Sequence, residues 1–124
     1  MNVLYLKQKF ESAQPFFRHL SGQINLLTCE PEPEKIVQTL DSRKIDAVIG
    51  FEEQLNMIKS IIQNFPMINY ALISSLSASD FHETTEGYGF FMQLPDAPQQ
   101  EDAEKFMHLL SKITVGAAAQ AERK

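Results

Sequence analysis

A chain of 124 residues, 44% apolar and 22% charged, has the make-up of one ordinary folded domain with enough core to stand without cross-links. Its net charge of −5 excludes a nucleic-acid or anionic-membrane surface, which needs clustered Lys and Arg, whereas the basic residues here are scattered. Cys29 is the single cysteine, so no intrachain disulfide forms, and no apolar run suits a signal peptide or a bilayer span; a cytoplasmic setting is expected.

Val3, Leu4, Tyr5 and Leu6 make a short apolar strand that stops at Lys7-Gln8-Lys9. Ser12 can cap a helix whose first turn tolerates Pro15, with Phe16, Phe17 and Leu20 as its buried stripe and Gly22 as its stop. Residues 24–29 form a second strand, broken by Glu30-Pro31-Glu32-Pro33. Pro33 then opens a short helix that buries Ile36, Val37 and Leu40.

Residues 45–51, Ile-Asp-Ala-Val-Ile-Gly-Phe, are the centre of the pattern. A β-branched apolar run between helical patterns reads as a parallel strand buried on both faces. Its end, Gly50-Phe51, then points at the crevice where open α/β sheets carry their sites. Residues 52–65 give a strong helical signal through Leu55, Ile58, Ile62 and Phe65, with Glu52 and Glu53 at the positive helix end and Pro66 as terminator. Residues 68–74 make a fourth strand, a polar segment holds a short helix near 80–86, and residues 90–94 make a fifth strand stopped by Pro95. A last helix over about 101–113 packs through Phe106, Met107, Leu110 and Ile113. Residues 1–115 are thus expected to form the domain and 116–124 a flexible tail. Strands alternating with helices predict a three-layer α/β fold, a parallel sheet with helices on both faces.

In this order and length, residues 2–113 resemble the receiver domain of bacterial two-component response regulators. The marks are Val3 to Leu6 as first strand, Asp46 at the start of the third, Ile73-Ser74-Ser75 at the end of the fourth, and Gly87 eight residues before Pro95. The resemblance implies a five-stranded, flavodoxin-like sheet of order 2-1-3-4-5 and a phosphoacceptor pocket at the strand ends. In that pocket Lys7 and Gln8 stand where the family has metal-binding acids, Phe51 where it has the phosphorylated aspartate, and Leu94 where it has a lysine. Ser74 and Pro95 match. Phosphoryl transfer to an aspartate needs a hard cation held by carboxylates, a carboxylate nucleophile and a positive group, so these residues imply a degenerate site without cofactor. A one-residue slip puts Glu52 at the acceptor position, as a mimic of a charged state or as a helix-capping acid.

The function expected from this is a phosphorylation-independent, non-enzymatic module that acts by protein contact. The resemblance implies a partner or second copy docking on the side formed by the fourth helix, fifth strand and fifth helix, where Phe81, Tyr88 and Phe90 gather. The alternative is a small-ligand or metal sensor using the same crevice, with Ser74, Asp80, His82 and Glu83 at its rim. His82 and Glu86 lie one helical turn apart, the spacing of a metal pair, but the pattern lacks a second histidine and a third ligand. Ser74 has no nucleophile elbow around it, and no glycine-rich phosphate loop follows the first strand. His19 and His108 read as surface or boundary residues rather than ligands, and Cys29 as a partly exposed, unreactive thiol beside Glu30.

Overall fold

The computed structural model describes residues 1–7 and 14–122, with side-chain surroundings over 1–7 and 15–113. Five strands, β1 (Asn2–Leu6), β2 (Asn25–Cys29), β3 (Ala47–Phe51), β4 (Asn69–Ile73) and β5 (Phe90–Leu94), form one parallel sheet in the order β2-β1-β3-β4-β5. The flavodoxin-like order expected from the sequence is the order observed. Every residue of β3 is buried, as its unbroken apolar run requires.

Alternation along the strands sorts the core into two layers. Val3, Tyr5, Ile49, Phe51, Ala71, Ile73 and Leu94 face α1 (Gln14–Leu20) and α5 (Gln100–Glu122). Phe16 and Phe106 meet edge-on there at 5.8 Å, and Phe91 joins Phe106 at 5.5 Å. Leu4, Leu6, Val48, Tyr70 and Leu72 face the other way, against α2 (Pro33–Ser42), α3 (Leu55–Ile62) and α4 (Ala78–Thr85). Gly50 is the point of closest approach between sheet and α3, since a Cβ there would collide with Ile58 Cδ1.

The N-terminal ends of four strands are tied by amides and one carboxylate that the hydrophobic pattern does not announce. Asn2 N donates to Asp46 Oδ2 at 2.8 Å, Asn25 Nδ2 to Asn2 Oδ1 at 3.1 Å, and Asn69 Nδ2 to the Asp46 carbonyl at 3.2 Å. These strand starts cannot slip in register without breaking the chain of bonds.

Several boundaries differ from expectation. The helix expected over 52–65 begins as a 3-10 turn, Glu52–Gln54, and α3 ends at Ile62, ahead of Pro66. The Phe65 amide instead bifurcates to the Ile61 and Ile62 carbonyls, at 3.1 and 3.2 Å. α4 starts at Ala78, capped by Ser77 Oγ, which accepts from Asp80 N at 3.1 Å. Helix α5 runs to Glu122 rather than stopping near 113, in keeping with the helix propensity of an Ala-rich run. Ser12, the expected cap of α1, lies outside the described residues. Gly87, at φ +83°, supplies the left-handed turn between α4 and β5.

Tyr70, like Tyr5, is a large side chain with a polar end buried in the sheet. Its hydroxyl donates to the Phe65 carbonyl at 2.9 Å, and burial pushes its pKa from 10.0 up to about 12. The neutral phenol is the folded form, so its contribution to stability is complete below pH 10 and lost as pH rises toward 12. Denaturant titrations across that window are expected to show wild type losing about 2–3 kcal/mol more than Tyr70→Phe; parallel slopes would contradict the buried phenol.

Candidate functional site

The C-terminal ends of the strands, where the sequence places the site, are closed by side chains rather than open. Phe51 ends β3 only 4% exposed, its ring 5.9 Å from Tyr5, which in turn lies 3.9 Å from Phe17. Leu94 at the end of β5 is 0% exposed and belongs to the same cluster. Apolar groups therefore fill the space beneath the strand ends from β1 to β5.

Above them runs a seam of hydrogen bonds made largely by neutral groups. Gln54, the last residue of the 3-10 turn, accepts from Phe51 N through Oε1 at 2.9 Å and donates Nε2 to the Lys7 carbonyl at 3.2 Å. One amide thus joins the ends of β1 and β3. The hydroxyl of Ser74, 3% exposed, donates to Glu52 Oε1 at 2.7 Å and accepts from Leu76 N at 3.0 Å. Gln93 Nε2 reaches from β5 to the Leu76 carbonyl at 2.7 Å, with a longer contact to the Ser74 carbonyl at 3.5 Å. β3, β4 and β5 are joined in this way with a single carboxylate involved.

The residues singled out in the sequence fall into three groups. Phe51, Ser74 and Leu94 converge at the strand ends, and Lys7 contributes its carbonyl while its side chain is exposed. Pro95 is exposed at the start of the turn after β5, and Gln8 lies outside the described residues. Asp80, His82, Glu83 and Glu86 are exposed on or beside α4. Among the described residues no three His, Cys, Asp or Glu side chains converge as a metal site would need. Phe51 and Leu94 are buried where the sensor reading places its crevice.

Phe81, Tyr88 and Phe90 are half-buried and pack against the α2–α4 core layer. Phe90 lies 6.1 Å from Tyr70 and 6.3 Å from Phe81, and Lys59 Nζ sits 4.9 Å from the Tyr88 ring centroid. Met92 of β5 is likewise half-buried, packed against the α1–α5 core layer, and on α5 Leu109 is exposed. The sequence reading missed Gln54 and Gln93. Gln54 stands three residues after Phe51, the spacing of a capping box, but Phe has no acceptor to complete that signature.

No family model and no curated protein matches the chain. Solved structures do. A response regulator from Thermotoga maritima aligns at 20% identity over 89% of this chain and 97% of that one, with a TM-score of 0.73. A CheY-like protein, TadZ, from Pseudomonas aeruginosa aligns at 11% identity over 89% and 92%, with a TM-score of 0.71. A chemotaxis response regulator of Vibrio cholerae aligns at 10% identity over 88% and 97%, also with a TM-score of 0.71. The fold is that of a receiver domain. A receiver sheet here ends in Phe51 and Leu94, with Gln54 and Gln93 bridging between strands. No helix among the described residues is long and apolar enough to cross a membrane.

The seam can be tested bond by bond. Gln54→Ala leaves the Phe51 amide without its acceptor and is expected to cost about 1–3 kcal/mol in urea denaturation. Ser74→Ala orphans the Leu76 amide and the Glu52 carboxylate at a cost of about 1 kcal/mol. Both variants within about 0.5 kcal/mol of wild type would show that the bonds do not hold the strand ends.

Proposed function

We propose that this receiver fold works without phosphorylation, as a regulatory module that acts by protein contact rather than catalysis. The observation that carries the reading is Phe51, a buried ring at the end of the central strand where the resemblance expects a carboxylate nucleophile. A phenyl ring can neither accept a phosphoryl group nor ligate Mg²⁺, and Leu94 brings no charge to the far side. Glu52 is the acid nearest in sequence. Its carboxylate already accepts the Ser74 hydroxyl at 2.7 Å, and among the described residues no three His, Cys, Asp or Glu side chains converge to share an ion.

The regulatory role is carried over from the response regulators that the fold is similar to. A signal then travels by occupancy of a surface rather than by chemistry at the strand ends. The surface that fits best is the side formed by α4, β5 and α5. Exposed Leu109 and half-buried Met92 line it with Glu101, Glu104, Lys105 and His108 around them, while Phe81, Tyr88 and Phe90 pack against the opposite core layer. A partly apolar patch with a mixed-charge rim is the make-up of a protein interface.

Incubation with acetyl phosphate and Mg²⁺, followed by intact-mass measurement, is expected to leave the chain unmodified. A stable phosphoryl adduct on Glu52 or Ser74 would overturn the reading.

A further inference from the structure

Helix α2 turns Ile36 and Leu40 into the core and leaves its other side bare. Along that side runs a groove of about 650 Å³, lined by Pro33, Glu34, Val37, Gln38, Asp41 and Ser42. Its apolar floor is the Pro33 ring and the half-buried Val37 side chain. Its charged lining residues are two acids, Glu34 near one end and Asp41 near the other. Seven residues separate them, so they stand two helical turns, about 10 Å, apart. Among the described residues neither is in an ion pair, and the pair that α2 does make, Lys35 Nζ to Glu32 at 3.4 Å, lies off the groove.

The placement of these acids selects the occupant. A second copy packed antiparallel would set Glu34 against Asp41 twice. Packed parallel, it would set each acid against itself, and like charges in register repel in both cases. A polyanion is repelled for the same reason. We propose that the α2 groove docks an amphipathic helix of another protein, one with Lys or Arg two turns apart on either side of a Leu or Ile pair. In that arrangement the i+3 and i+4 side chains rest on Val37, between the two acids, and the cations at i and i+7 meet Glu34 and Asp41. The groove belongs to a different element from the α4–β5–α5 side, so the inference stands apart from the reading of the strand ends.

The test is an amide-resolved NMR titration of the intact chain at physiological salt. The probe is a synthetic helical peptide with lysines two turns apart bracketing a leucine pair; the control has glutamates in place of the lysines. Saturable shifts centred on Glu34, Val37 and Asp41 are expected with the lysine peptide and none with the control. The double variant Glu34→Lys, Asp41→Lys, with its fold checked in the same spectra, is expected to bind at least about tenfold more weakly. Val37→Ser, which leaves both acids in place, is expected to weaken binding as well. Shifts centred on Asp80, Glu83, Glu101 or Glu104, binding unchanged in the double variant, or no saturable shift would each overturn the proposal.

Discussion

Parallel strands leave backbone groups at their ends that something must answer, and in this protein one side-chain amide answers two of them. Gln54 holds the amide of Phe51 with its oxygen and the carbonyl of Lys7 with its nitrogen. It can do so because the chain turns at once after β3 into a tight 3-10 turn. Gly50 lets that turn and α3 come close, since any larger residue would meet Ile58 and press on Gln54. Remove the amide and the central strand ends in a buried donor with no partner, the kind of defect folded proteins avoid.

The same bonds join the strand ends without a cluster of carboxylates. Clustered carboxylates repel one another unless a cation sits among them, and that dependence makes such a cluster responsive to binding and charge. Here the bridging groups are amides, a hydroxyl and one carboxylate, already matched donor to acceptor. Beneath them Phe51, Tyr5 and Leu94 are close-packed, so insertion of a charged group would displace rings rather than water. An arrangement satisfied from within has little reason to change state, which is the physical basis of the proposed phosphorylation-independent role.

Much of the fold was legible in the sequence because it depends on long apolar periods. The apolar run Ala47 to Phe51 reads as a doubly buried strand, and the changes of period around it set the alternation of strands and helices along the chain. The details that position the strand ends depend instead on single polar side chains, which periodicity does not register. Gln54 and Gln93 look like ordinary surface residues until β1 and β5 are brought beside them. Asn2, Asn25 and Asn69 likewise reveal a purpose only when four strand starts line up. Phe81, Tyr88 and Phe90 gather as the sequence suggests, and they pack half-buried against the α2–α4 core layer.

The most direct check is a titration of the isotope-labelled chain with Mg²⁺ and beryllium trifluoride, a phosphoryl mimic, read at the amides of Gly50, Phe51, Glu52, Ser74 and Leu76. The account predicts that these resonances stay where they are at every ratio of ion to protein. Saturable movement at Phe51 and Ser74 together would mean that the strand ends still take up a metal and a phosphoryl group, and the account would be wrong.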